Sequence, residues 1–169
     1  MRKLVGITIA IAAMAIGPAS AQDRVEGAAP AAGLSISTDP LIQVYRFSGV
    51  RDDGGANLAG TATSFHCTNF SGVTESFRVQ VRNFGGTIVG DNTTTIGHNA
   101  TVTTSTHGTN AYFEDVALNT GLVNQGSARI WASSPSIVCT ASTVDAAAAA
   151  PAGIALQGIR FNPIPGTEY

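Results

Sequence analysis

Three histidines and two adjacent carboxylates are the side chains of this sequence best suited to binding a metal ion. They are His66, His98, His107, Glu114 and Asp115. Imidazole and carboxylate groups are common zinc ligands, but short-range metal motifs use spacings such as H-x-H or H-E-x-x-H, which the sequence lacks. We therefore expect three partly exposed polar histidines, no metal site and no cofactor.

Catalytic motifs are also missing from the sequence. It has many serines but no G-x-S-x-G elbow, the strand-to-helix turn that exposes a nucleophile. Asp52–Gly55, with Asn57 close by, offers oxygens to calcium, but the D-x-[DN]-x-[DN]-G register and the distal glutamate are absent, so we interpret the segment as a turn. We expect no catalytic residues. A small secreted hydrolase or metal enzyme stays an alternative, because triads are assembled by geometry, and it requires a histidine to meet a carboxylate or serine in space.

A possible binding surface is suggested by the segment Phe77–Arg82, which alternates apolar and polar residues. On a β-strand, Arg78, Gln80 and Arg82 would share the face opposite the core. They could hold an anionic glycan or the carboxylates of a protein partner, or simply form a solvated strand face. Trp131, the one tryptophan, could offer a platform for a sugar ring or could pack over the core. We take these three residues and Trp131 as the possible binding surface.

The first 21 residues have the pattern of an export signal. Arg2 and Lys3 precede an apolar run over residues 4–16, and Ala19-Ser20-Ala21 is a small-x-small cleavage site. The run is too short for a stable membrane anchor, which needs roughly 20 apolar residues. We expect a signal peptide over residues 1–21, a flexible leader over 22–40, and a mature protein in the periplasm or outside the cell with no membrane span.

The charge balance after the signal peptide argues against a nucleic-acid partner. Residues 22–169 carry seven arginines and eleven acidic residues, a net charge of −4, and the only lysine lies in the signal. No basic patch follows from such a composition. The sequence gives neither the partner nor the oligomeric state.

Two cysteines, Cys67 and Cys139, remain after export. In an oxidising compartment two cysteines in one small domain usually pair, and closing a loop of this length contributes about 4 kcal/mol in the chain-entropy model. Two separate thiols are the alternative. We expect one disulfide, between an early and a late strand that lie in different sheets.

From Leu41 onward, residues rich in Thr, Val, Ile and Phe are interrupted by Gly and Asn clusters about every ten residues. This spacing is typical of short antiparallel strands in a sandwich or barrel. We expect a loop over 119–126 and a hairpin turned at Ser134-Pro135. The expected strands cover 41–50, 59–69, 77–82, a return strand from 87, 101–106, 111–118, 128–133, 137–144 and 154–161.

The segments Phe65–Asn69, Ile137–Ala141 and Gly158–Pro163, together with export, resemble small secreted bacterial proteins with an immunoglobulin-like β-sandwich. The resemblance covers residues 41–165. It implies a fold and a compartment, with no activity attached.

Chaperone–usher pilins are a second comparison, because they share export, a disulfide and a terminal tyrosine, here Tyr169. Pro163 and Pro165 count against it, since proline cannot join the ladder of a terminal strand.

The sequence as a whole predicts one all-β domain, a single antiparallel immunoglobulin-like sandwich over residues 41–165 with one inter-sheet disulfide. The expected function is an exported non-catalytic protein that presents a surface to a protein or glycan in the cell envelope or outside the cell. The second hypothesis is a structural subunit that assembles by strand pairing.

Overall fold

A computed structural model describes residues 41–161 of the chain. The predicted signal peptide, the leader and the residues after Phe161, including Pro163, Pro165 and Tyr169, lie outside the described residues. The described part is all-β. Its strands are β1 (Ile42–Asp53), β2 (Thr61–Asn69), β3 (Glu75–Arg82), β4 (Ile88–Ile96), β5 (Thr101–Ser105), β6 (Val116–Ala117), β7 (Leu122–Ala132), β8 (Ile137–Asp145), β9 (Ile154–Leu156) and β10 (Gly158–Arg160).

The strands form two five-stranded sheets. The first sheet has the order β10-β1-β7-β3-β4 and the second has the order β6-β5-β2-β8-β9. The sequence predicted an all-antiparallel arrangement, and this is wrong at one edge, where β5 and β6 run parallel. The chain travels through a loop between these two strands, and that return brings the two-residue β6 alongside β5 in the same direction.

One hydrophobic core is shared by the two sheets. In β3, Phe77, Val79 and Val81 are buried as the alternation predicted, because successive side chains of a strand point to opposite faces. Between the sheets, the Phe47 ring of the first lies 5.8 Å from the Phe65 ring of the second, centroid to centroid. The core also includes Val44, Val50, Cys67, Ile96, Val123, Ala128, Ile130, Ile137, Cys139 and Ala141.

The two cysteines form the predicted disulfide, but its predicted place between the sheets is wrong. Cys67 of β2 and Cys139 of β8 are directly opposite neighbours within the second sheet, with Cα atoms 4.1 Å apart. The alternation of both segments correctly turned the two side chains inward. It carried no information on which strands are neighbours, and β2 and β8 pair across 72 residues of sequence.

Three local expectations also need correction. β7 and β8 are not a hairpin, because Ser134-Pro135 carries the chain from the first sheet to the second. Most of 111–118 is loop, and only Val116–Ala117 is strand, whereas much of the predicted loop 119–126 belongs to β7. β7 therefore begins six residues before the predicted strand 128–133, and its first residues lack a clear alternation.

The last predicted strand, 154–161, is split into two. β9 pairs with β8 in the second sheet, and β10 pairs with β1 in the first, so the chain changes sheets at Gln157. Gly158 is required there, because a Cβ atom at this position would lie 2.5 Å from the Phe47 ring. The absence of a side chain lets β10 cross closely over the core.

No helix that is long and apolar enough to cross a membrane occurs among residues 41–161.

The disulfide gives a first prediction. Reduction should lower the free energy of unfolding by about 4 kcal/mol, because it releases a 72-residue loop in the unfolded chain. Urea unfolding with and without dithiothreitol measures the difference. The double variant Cys67→Ala/Cys139→Ala should match the reduced protein and be insensitive to the reductant. An unchanged unfolding midpoint after complete reduction would contradict the prediction.

Candidate functional site

The outward side of the first sheet gathers most of the arginines of residues 41–161. Strand pairing places their side chains in adjacent cross-strand rows. In the central row Arg46 of β1 is opposite Arg129 of β7, Arg129 is opposite Gln80 of β3, and Gln80 is opposite Asp91 of β4. We call this surface the arginine face and define it by Arg46, Arg78, Gln80, Arg82, Asp91, Arg129 and Trp131.

The rows on either side complete the surface. Trp131 and Arg78 are neighbours in one row, and Ser127 and Arg82 are neighbours in the other. All four residues predicted as a binding surface therefore lie on one face of one sheet. The sequence reasoning missed Arg46, Asp91 and Arg129. Arg46 lies between Tyr45 and Phe47 and Arg129 between Ala128 and Ile130, so each carried the same alternating signal as β3.

Asp91 anchors one side of the arginine face through a chain of hydrogen bonds. Arg78 donates to both carboxylate oxygens, from Nε at 2.8 Å and from Nη2 at 2.7 Å. Gln80 Nε2 donates to Asp91 Oδ2 at 3.1 Å, and Gln80 Oε1 accepts from Arg82 Nη2 at 2.8 Å. Gln80 was predicted to face water, but it is only 4 % exposed, because it is enclosed by these partners. The guanidinium of Arg78 and the Gln80 amide hold the pKa of Asp91 below its ordinary value.

On the other side of the arginine face, the positive charge of Arg129 has no carboxylate partner among residues 41–161. Within residues 41–161, no hydrogen bond or ion pair engages the Arg129 guanidinium. Partial burial, followed by the nearby charges of Arg82 and Arg46, lowers the pKa of Arg129. Arg46 is held in place by Phe161, with its guanidinium carbon 4.3 Å from the ring centroid. Four arginines and one aspartate give this face three net positive charges on a chain whose overall charge is −2. The expectation of no basic patch is therefore wrong for this face, because strand pairing collects arginines that are far apart in the sequence.

Trp131 is half-buried on the arginine face rather than packed in the core. The guanidinium carbon of Arg78 lies 5.5 Å from its ring centroid. On the β1 side its cross-strand neighbour is Gln43, whose Nε2 is buried and has no hydrogen-bond partner. This row therefore combines an aromatic ring, a cation and an unsatisfied donor, and buried donors without partners are uncommon in folded proteins.

A second polar cluster joins Asp52 and Asp53 at the end of β1 to His107 after β5. His107 Nδ1 lies 2.9 Å from Asp52 Oδ2, and its Nε2 lies 3.0 Å from the Ala59 carbonyl oxygen. Both ring nitrogens of His107 therefore have an oxygen atom within hydrogen-bond distance. Thr120 adds a third contact, donating from its hydroxyl to Asp52 Oδ2 at 3.0 Å. The cluster is a buried, hydrogen-bonded histidine–carboxyl pair, so the contact that the hydrolase or metal-enzyme alternative required is present.

This cluster is the one group of residues in the described chain whose spacing could hold a metal ion, since one ligand atom from each of Asp52, Asp53 and His107 lies within 4.8 Å of the others. Those atoms are already engaged. Asp53 accepts from the backbone N–H groups of Thr61 and Gly55, and these hydrogen bonds lower its pKa. The contacts close the loop between β1 and β2, so the geometry supports a structural role.

The prediction of three partly exposed histidines is wrong for His107, which is 3 % exposed. Its partner Asp52 is 55 residues away, so no local pattern could reveal the pair. His66 Nδ1 lies 3.1 Å from Thr103 Oγ1, and burial lowers its pKa. His98 is exposed and accepts a hydrogen bond from the Gly72 backbone. Each histidine thus has its own set of partners.

Glu114 and Asp115 both hold the loop before β6. Glu114 Oε1 accepts from the backbone N–H of Thr109 at 2.8 Å, and Asp115 Oδ2 accepts from the backbone N–H of Thr103 at 2.8 Å. Neither carboxylate has a hydrogen bond with a histidine. The His107 Nε2 atom, which would face a nucleophile in a triad, is bonded to a backbone carbonyl instead. The arginine face is thus the surface of residues 41–161 on which several charged side chains lie close together.

Comparison with protein families, curated proteins and solved structures finds no match.

The buried pair gives a second prediction. His107→Ala should lower the free energy of unfolding by about 3 kcal/mol, because the buried Asp52 carboxyl group and the Ala59 carbonyl each lose a hydrogen-bond partner. Thr120→Val, which removes one hydroxyl from the same carboxylate, should cost about 1 kcal/mol. Urea unfolding near pH 6 measures both. His98→Ala is the exposed control, and an equal cost for both histidine variants would refute the pair.

A third prediction follows from the lowered pKa of Asp91. Its folded pKa lies below the unfolded value near 3.8, so its stabilising contribution is present above that value and is lost as the pH falls through the folded pKa. The stability difference between the protein and Asp91→Asn should therefore be largest above pH 5 and should shrink in acid. Urea unfolding from pH 2 to pH 7 measures it. In an Arg78→Gln background most of this pH dependence should disappear, and a difference independent of pH would contradict the prediction.

Proposed function

We propose that this chain is an exported, non-catalytic, immunoglobulin-like β-sandwich protein that binds an acidic partner through the arginine face. The proposed site of action is the periplasm or the outside of the cell. The disulfide is compatible with export, because such bonds persist in oxidising compartments.

The observation that carries this proposal is the uncompensated charge around Arg129. Arg46 is its direct cross-strand neighbour, and Arg82 is close enough to affect its titration. Cross-strand neighbours have Cβ atoms about 5 Å apart, and like charges at that distance destabilise a sheet. Among the acidic residues of 41–161, Asp91 is the one on this face, and Arg78 and Gln80 already engage it. An acidic partner would supply the missing counter-charges.

The residue type favours recognition of carboxylates. No lysine follows Lys3, so arginines supply the permanent positive charges of the rest of the chain. Four of the six arginines in residues 41–161 lie on this face. The guanidinium group presents a planar fork of donors that matches a carboxylate through two parallel hydrogen bonds, as Arg78 does with Asp91. Arg129 offers the same fork with no partner among the described residues.

Assembly by strand pairing is a second candidate function. The edge of the first sheet is formed by β4, a strand of nine residues without proline or lysine, and its pairing with β3 has one irregularity, between Val81 and Arg82. Natural proteins usually protect edges of this length with such residues or with bulges. The arginine face remains the favoured site. The backbone N–H and C=O groups of an edge strand can pair with any other strand, whereas four clustered arginines require a negatively charged partner.

A fourth prediction tests the arginine face. The protein should bind immobilised poly-glutamate and a carboxylated polysaccharide at low salt, and 0.5 M salt should weaken the binding because exposed charges are screened. Arg46→Gln/Arg129→Gln should reduce affinity about tenfold or more, given that hydrogen bonds to charged groups are each worth roughly 1.5–3 kcal/mol. Surface plasmon resonance measures the affinities, and gel filtration of the same samples reports self-association.

The matched control is Arg51→Gln/Arg160→Gln, which removes the same charge away from the arginine face. Arg51 lies roughly 17 Å along β1 from Arg46, and Arg160 donates to the Pro135 carbonyl. The control should bind nearly as well as the unmodified protein. Equal loss in both double variants would show that net charge matters rather than this face, and no binding to either polymer would refute the proposal.

A further inference from the structure

A notch opens beside Arg129 where the first sheet meets the crossing point of the last two strands. It has a volume of about 320 Å³. Arg46 and Arg129 face each other across the β1–β7 pair, and Ser48 and Ser127 face each other in the next row. Gln157, between β9 and β10, and Ile159 complete the wall.

We propose that this notch binds one sugar-acid unit of a uronate-containing polysaccharide. The inference rests on the proposed function of the arginine face and names its ligand class. The two guanidinium groups would hold the carboxylate of the sugar, and the serine hydroxyls and the glutamine amide would bond its ring hydroxyls.

The polar groups of the notch are available for a ligand. No hydrogen bond within residues 41–161 engages the side chains of Ser48, Ser127 or Gln157. Arg46 is pre-positioned by its contact with Phe161, which reduces the conformational freedom lost on binding. Three neutral hydrogen-bonding groups and two cations thus converge on one small volume.

The mixture of groups favours a sugar acid over an acidic peptide. A glutamate or aspartate side chain would use the two arginines but leave the hydroxyl and amide groups without a partner. Ile159, which is 51 % exposed, adds an apolar wall that suits the C–H face of a sugar ring. The volume is at the lower end of the range of small-molecule pockets, about 300–1,000 Å³, which suits a single ring.

The arginine face also offers a place for the next sugar. Trp131 lies two residues beyond Arg129 on β7 and on the same face, so the two positions are roughly 6.7 Å apart along the strand. An aromatic ring with a polar edge is suited to contact a sugar, and the unpartnered Gln43 Nε2 lies in the same row. The chain of the polysaccharide would therefore run along β7.

The test compares ligands that separate charge from sugar structure. Isothermal titration calorimetry with the disulfide-bonded protein would use trisaccharides of galacturonate, glucuronate and mannuronate, the methyl ester of each, and tri-glutamate. At least one uronate trisaccharide should bind about tenfold or more tighter than its neutral methyl ester and than tri-glutamate. Poly-glutamate binding at low salt is measured in parallel, because it reports the arginine face alone.

Variants of the neutral groups give the second readout. Ser127→Ala/Gln157→Ala keeps every charge and should weaken uronate binding about three- to tenfold while leaving poly-glutamate binding unchanged. The matched control is Gln125→Ala/Thr140→Ala, which removes an exposed amide and an exposed hydroxyl elsewhere and should change neither.

The outcomes separate the two proposals. If no uronate is preferred over tri-glutamate while poly-glutamate still binds through Arg46 and Arg129, the sugar assignment is overturned and the arginine face stands. The same conclusion follows if Ser127→Ala/Gln157→Ala weakens poly-glutamate and uronate equally. If neither uronates nor poly-glutamate bind, both proposals fail.

Discussion

The shared core between the two sheets is the constraint on which the other features depend. Side chains alternate along a strand, so burying Phe47 and Ile130 against the second sheet forces Arg46 and Arg129 to the outer side. The pairing of β1, β7 and β3 then brings these arginines into adjacent rows. A shift of one residue in any of these registers would bury an arginine and expose a core residue. The apolar residues on the inner side of β1, β7 and β3 therefore determine where the charged residues of the arginine face lie.

The Asp52–His107 pair shows a different use of polar side chains, which are here buried. A buried polar pair contributes little net stability, because desolvation of its groups offsets the hydrogen bond, but leaving one partner unsatisfied is costly. Here it connects the end of β1, the loop carrying Ala59 and the segment after β5, with Thr120 as a fourth member. These segments come from distant parts of the sequence. The Asp52–His107 pair therefore determines how the end of β1, the loop with Ala59 and the segment after β5 are arranged relative to one another.

The sequence predicted the features that depend on local alternation and failed where distant segments meet. The burial of Phe77, Val79 and Val81 followed from period-two alternation, as did the inward direction of Cys67 and Cys139. Which strands are neighbours did not follow, because pairing is decided by long-range packing rather than by either segment alone. The disulfide was consequently assigned to two sheets instead of one. The same limitation hid Arg46 and Arg129 of the arginine face, since the β1–β7 pairing that joins them cannot be inferred from either segment alone.

The change of sheets at Gln157 connects the fold to the proposed binding notch. If residues 154–161 had formed one continuous strand, they would have extended the second sheet alone, and the β1 edge of the first sheet would have stayed open. Gly158 permits the crossing because Phe47 leaves no room for a side chain. The crossing places Gln157 and Ile159 beside Arg46, and turns an otherwise flat strand surface into a concave one. A flat row of arginines would attract any anion, whereas a concave site with neutral donors can distinguish one ligand from another. Under the proposed function, the selectivity of the arginine face would thus depend on Gly158 and on the Phe47 ring that it crosses.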